Sequence, residues 1–146
     1  MKPYLLILMR NDMDTMTGGR AAAQASHATS LFTVRAELAM SSPLTEDKEV
    51  KDRIMDPPGQ TYVDWRCATP QFFGTAIVVG VSERELLYYV AMAQECGYQA
   101  EIVSDPTYGV KDGKTIHFLP VNTCGYVFVN RDGNLFYDFT KTLPLF

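Results

Sequence analysis

The pattern of apolar and polar positions divides the chain into alternating strands and helices. Pro3 to Met9 is apolar without alternation, which predicts a buried strand covered on both faces of a sheet. Asn11 to Gly19 reads as a loop, with Thr17 as N-cap of the helix that follows. That helix is predicted over Gly19 to Met40, with Leu31, Val34 and Leu38 continuing its apolar side, and Ser41-Ser42-Pro43 stops it. Glu46 to Met55 predicts a charged surface helix closed by Asp56-Pro57-Pro58-Gly59. Phe72 to Val81 is a second strong strand. Ser82 and Glu85 then stand at capping-box offset and open a helix that runs to Cys96 and stops at Gly97.

Tyr98 to Val103 is a third predicted strand, Ser104 to Lys114 a loop, and Thr115 to Val121 a fourth strand. Tyr126 to Val129 also reads as strand, followed by the turn Asn130-Arg131-Asp132-Gly133. Leu135 to Leu143 fits either a return strand or a short helix, and its aromatic content favours strand. The order predicts an α/β fold: a three-layer sandwich with a small mixed four-stranded β-sheet flanked by helices. The expectation is a single domain over residues 1–146 with an insert around 42–71. Ligands of such folds gather at the carboxyl ends of strands, so the polar turn after the first strand and the loop around Asp105 should meet there.

Composition narrows the class without naming a reaction. With 146 residues, 47% hydrophobic and 21% charged, the chain is long enough for one core without disulfides. Tyr4 to Met9 is far too short to span a membrane and carries no cleavage signal, which gives the expectation of a cytoplasmic protein with no membrane partner. Cys67, Cys96 and Cys124 lack zinc or redox spacing and read as reduced structural thiols. The net charge of -4 argues against broad non-specific contact with nucleic acid. Half of that deficit lies between Ser42 and Gln71, where four basic residues face six acidic ones. Arg10, Arg20, Arg35, Lys111 and Lys114 are left to cluster elsewhere.

The most informative stretch is Arg10 to Ala28. At about 100° per residue, Arg20, Gln24 and His27 fall within roughly 60° of one another on the helix. The residues between them are mostly alanine, which allows close approach to a neighbouring layer. A cation, an amide and an imidazole on one helix edge, beside a Gly18-Gly19 turn with open N–H groups, form a candidate anion or substrate site. Each residue also has a structural reading. Arg20 can be a surface contact, Gln24 a cap for a buried backbone group, His27 a packed and hydrogen-bonded histidine. Asp105 before Pro106 can be a turn residue, His117 a strand or rim residue, and Tyr88-Tyr89 ordinary half-buried helix surface.

These residues resemble those of the second type of peptidyl-tRNA hydrolase. That family opens with a strand, Arg-x-Asp-Leu, a Met, and Gly-Lys-x-Ala-Ala-Gln-x-x-His-Ala. The corresponding residues here are Arg10, Asp12, Met13, Met16, Gly19, Arg20, Ala22, Ala23, Gln24, His27 and Ala28. Trp65, Ala76 to Val81, Ser82 to Cys96, Gly97 and Ile102-Val103-Ser104-Asp105 follow the family order, so the likeness covers most of the chain. It implies an esterase that cleaves the bond between peptide and tRNA, with peptidyl-tRNA as partner, no cofactor, no metal, and a homodimer. It implies catalytic positions at Arg20, Asp105 and His117, and substrate contacts from Asp12, Gly19, Gln24, His27 and Thr115; Tyr108, in the loop after Asp105, is a further substrate-contact candidate. Tyr108 would stack on the terminal adenine.

The departures are specific. Arg20 replaces a lysine, Asp105 continues as Pro106-Thr107-Tyr108-Gly109-Val110 instead of Ala-Gly-Arg-Thr-Gln, and Gly109 and His117 stand at two functional threonines. The segment from Met40 to Trp65 is longer than in the family, and a last helix is not evident in Asn122 to Phe146. Two other functions therefore stand beside hydrolysis. One is a catalytically altered tRNA-binding or regulatory protein. The other is a protein-interaction module using the acidic insert Thr45 to Asp56.

Overall fold

A computed structural model describes residues 1–41 and 60–146. The predicted charged helix Glu46 to Met55 and the acidic insert lie outside the described residues. The fold is mixed α/β around a four-stranded sheet of order β2-β1-β4-β3. Its strands are β1 (Tyr4–Arg10), β2 (Ala76–Val81), β3 (Gln99–Asp112) and β4 (Thr115–Val129). β1 pairs parallel to β2 and antiparallel to β4, and β3 pairs antiparallel to β4. β1 is thus central, as its unbroken apolar run requires.

Alternation along β1 feeds two cores. Leu5, Ile7 and Met9 face one layer with Phe32, Tyr62, Trp65 and Phe128. Leu6 and Leu8 face the other with Leu86, Val90, Tyr98 and Phe136. The first layer holds α1 (Gly18–Ser41) and the short α2 (Gln60–Arg66). The second holds α3 (Glu83–Glu95), with the capping box of Ser82 and Glu85 formed, and α4 (Leu135–Thr140).

α1 buries a stripe of small residues rather than the larger aliphatic ones. Ala21, Ala28, Phe32, Ala36 and Ala39 face the sheet, whereas Val34 and Leu38 are 52% and 50% exposed on the opposite side. Alanines bring the helix close to the strands, and Phe32 fills the remaining space against Tyr62, Trp65, Tyr126 and Phe128, with ring centroids 4.8–5.8 Å apart. Trp65 is held from below by Gly74: a Cβ there would lie 2.1 Å from the indole. The indole Nε1–H donates to the Thr75 carbonyl at 2.8 Å.

Three sequence expectations need correction. The second strand begins at Ala76, not Phe72, because the approach to it is irregular and Phe72 has a left-handed φ of 60°. Residues 104–114 are not a loop: β3 runs through to Asp112, Gly113 turns at φ 59°, and β4 returns unbroken to Val129. Leu135 to Thr140 is helix rather than strand. The Asn134 side chain accepts from the Tyr137 N–H and caps it, and Phe136 packs against Tyr98 at 5.3 Å. Beyond α4 the chain covers the outer edge of β2, where Gly80 N–H donates to the Pro144 carbonyl and Phe146 N–H to that of Val78. No helix among the described residues is long and apolar enough to cross a membrane.

Candidate functional site

The β3–β4 hairpin carries two irregularities, and the candidate site is built on them. Val103 pairs with Cys124 but Ser104 with Asn122, so Thr123 is an extra residue on β4. Asp105 pairs with Val121 and Tyr108 with Leu119, so Pro106 and Thr107 together oppose Pro120. Neither proline can donate to the ladder, which places the second irregularity where a ladder bond is impossible on both strands. A bulge bends its strand and redirects a side chain. Here the first turns Thr123 inward, fully buried, and the second leaves the Asp105 carboxylate half-buried beside α1. The Arg10 guanidinium donates to the Asn122 carbonyl at 3.1 Å next to the bulge.

Gln24 joins the two. It sits about 40° nearer the Phe32 line of α1 than Arg20 does, and about 60° nearer than His27. It is accordingly only 4% exposed. Its Nε2 donates to Asp105 Oδ2 at 2.7 Å, and its Oε1 accepts from the Thr123 hydroxyl at 2.6 Å. A carboxylate only accepts, so the amide must present its NH2 to Asp105 and its oxygen to Thr123. The other carboxylate oxygen, Oδ1, accepts from the Thr107 N–H at 2.9 Å and the Thr107 hydroxyl at 3.2 Å. Burial pushes the Asp105 carboxyl upward. The Thr107 and Gln24 hydrogen bonds and the His27 charge outweigh it, so the pKa lies below the ordinary carboxylate value.

Arg20 is fixed on the other side. Its Nη1 donates to the Gly109 carbonyl at 2.6 Å, and its guanidinium carbon lies 5.4 Å from the centre of the Tyr108 ring. A Cβ on Gly109 would meet Ile116 Cγ2 at 3.3 Å and make ordinary contact, at 3.5 Å, with both terminal guanidinium nitrogens of Arg20. Tyr108 is buried, with its hydroxyl 3.0 Å from Thr15 Oγ1 and donating to Met16 Sδ at 3.9 Å. The expected stack of Tyr108 on an adenine is therefore corrected. Its ring supports Arg20 and has no free face to offer a base.

Arg20, Gln24, Asp105, Thr107, Tyr108 and Phe118 line one cleft of about 230 Å³. Arg20 also borders a larger groove of about 610 Å³ with Thr15, Thr17 and Lys111, opposed by Asp14. Asp105 and Thr107 border a third hollow of about 410 Å³, into which His27 and Leu31 extend. The cation and the carboxylate thus share a solvent-open cleft, with His27 at an adjoining rim. His27 is exposed, so its reading as a packed histidine is corrected: it lies outside the core line of α1.

Other expected site residues lie elsewhere. Asp12 accepts from Arg10 Nε at 2.8 Å and from the Glu83 N–H at 3.0 Å, so it ties β1 to the start of α3. Burial raises its pKa, but the bonds from Arg10 and Glu83 bring it below the usual value. Arg10, expected to be free to cluster, is spent on this junction and also lies 3.5 Å from Glu83. His117 pairs with Val110 towards the hairpin tip, with Nε2 3.6 Å from Asp112, and Thr115 pairs with Asp112 beside the turn. Neither lines the cleft with Arg20 and Asp105. Gly19 is exposed in the first turn of α1 and lines neither the cleft nor the groove beside it.

Sequence reading missed Thr123, Thr107 and Phe118. The facing prolines 106 and 120 are the available signal for a bulged hairpin, while the role of Thr123 depends on register and leaves no local trace. No protein-family model matches the chain, and no curated protein matches it.

Proposed function

We propose that the cleft between α1 and the bulged hairpin is an ester-hydrolysing site for peptidyl-tRNA. The observation that carries this reading is the meeting of Arg20, Gln24 and Asp105 in one open cleft, from segments 81 or more residues apart in the chain. The likeness of Arg10 to Ala28 to the second type of peptidyl-tRNA hydrolase supports the choice of substrate.

In this reading Asp105 accepts a hydrogen bond from a water and aims it at the ester carbonyl. The carboxylate oxygens retain lone pairs beyond the bonds from Gln24 and Thr107. As the water oxygen adds to the carbonyl carbon, its proton passes to Asp105, and the carbonyl oxygen becomes an oxyanion facing the Arg20 guanidinium. Collapse breaks the bond to the ribose oxygen, which takes that proton and leaves as the hydroxyl. A depressed pKa makes Asp105 a weak base, so its main contribution is orientation. Arg20 contributes fixed charge and cannot serve as a proton donor.

The test is release of N-acetyl-aminoacid from N-acetyl-aminoacyl-tRNA by the purified protein. Hydrolysis that Asp105→Asn removes supports the reading, and turnover equal in both proteins overturns it. A second reading, tRNA binding without turnover, is favoured by one observation: Arg20 and both oxygens of Asp105 already have protein partners. It predicts salt-sensitive tRNA binding that survives Asp105→Asn with no ester cleavage.

A further inference from the structure

We infer that Phe118 is the stacking platform for the 3′-terminal nucleobase of the RNA whose acyl ester enters the cleft. This rests on the reading above and names how that site recognises its substrate. Phe118 lines the cleft with Arg20, Gln24 and Asp105, yet it is 71% exposed, the most open large apolar side chain in the hairpin. Its cross-strand partner is Gly109, which has no side chain to cover the ring. An aromatic ring held bare on a paired strand beside a guanidinium offers a flat apolar face and a cation together. That pair suits a base with its sugar-phosphate.

The charge around the cleft sets the direction of the chain. On the Arg20 side the cleft adjoins the larger groove, where Arg20 and Lys111 face Asp14. That groove suits the phosphates preceding the terminal nucleotide. On the other side lie Asp105 and the hollow bordered by His27 and Leu31, which suits the acyl group. A nucleobase fits Phe118 better than a side chain of the acyl group, because the terminal base is present in every such ester and the side chain varies. Tyr108, the other aromatic of this hairpin segment, is buried and cannot take the role.

The experiment measures binding of the RNA tetranucleotide ACCA and of the same RNA ending in an abasic ribose. Wild type, Phe118→Ala and Phe118→Tyr are titrated at low salt by NMR. Wild type is expected to bind the intact RNA about 10- to 100-fold more tightly than the abasic one. Phe118→Ala should abolish that ratio and Phe118→Tyr should retain it, with the amide spectrum reporting that each variant is folded. Equal binding of the two RNAs by wild type, or an unchanged ratio in Phe118→Ala, overturns the inference.

Hydrolysis of N-acetyl-phenylalanyl-tRNA, measured on the same proteins, separates the two claims. Hydrolysis without base discrimination removes the platform and leaves the esterase. Base discrimination without hydrolysis keeps the platform and removes the esterase. If Phe118→Ala instead erases a preference for phenylalanyl over glycyl esters, the ring serves the acyl group and the inference falls.

Discussion

The buried hydroxyl of Thr123 donates to Gln24 Oε1 at 2.6 Å, and through that bond it orients the amide that holds Asp105. Thr123 is the bulged residue of β4 and Gln24 lies 99 positions away on α1. Register in the sheet therefore controls a group in the cleft.

Thr123→Val removes the donor and leaves Gln24 Oε1 buried without a partner. The expected loss is about 1–3 kcal/mol of stability, together with reduced ester hydrolysis as Asp105 loses a fixed contact. Thr123→Ser keeps the hydroxyl and should restore both. Urea unfolding and the hydrolysis assay check the pair.

Asp105 has a folded-state pKa below its ordinary 3.8, because hydrogen bonds from Thr107 and Gln24 and the His27 charge exceed the opposing effect of burial. A lowered folded pKa means the stabilisation is complete above the unfolded value and is lost as pH falls through the folded one. The stability difference between wild type and Asp105→Asn should be constant above about pH 5 and shrink below about pH 4. Hydrolysis should show no acid limb from this residue above about pH 5. Denaturant unfolding and rate measurement across that range test both.

On the proposed function, Arg20→Ala is expected to lower hydrolysis by roughly 10²- to 10³-fold, the range found for loss of one oxyanion donor. Arg20→Lys keeps the charge and should recover most of the rate. Equal loss in both variants would mean that the planar contact with Gly109 and Tyr108, rather than charge, is what the site uses.

His117→Ala should leave hydrolysis and melting temperature at the wild-type values. Its contact with Asp112 is an exposed one at 3.6 Å, of a kind that contributes little. A large loss of turnover would return His117 to the catalytic set.

Gly74→Ala tests the aromatic core beneath α1. The added Cβ meets the Trp65 ring at 2.1 Å, so the indole or the strand entry must shift. A loss of about 1–3 kcal/mol is expected by urea unfolding.

Local pattern alone determined β1, the body of α1, the capped start of α3 and the α/β class, since each depends on periodicity and on caps formed by neighbours in sequence. Helix periodicity also put Arg20, Gln24 and His27 on one edge, strand order pointed to the segment around Asp105, and the role expected of Asp105 came from the family resemblance. Tertiary structure decided the rest. It turned a predicted loop into a long bulged hairpin, since bulges can absorb Pro106 and Pro120 without ending the strands. It buried Tyr108, exposed Phe118, and sent Asp12 and His117 away from the cleft. It also coupled Thr123 to Asp105 through Gln24. Those outcomes depend on which residues of distant strands fall opposite one another, a relation that periodicity within a single segment does not encode.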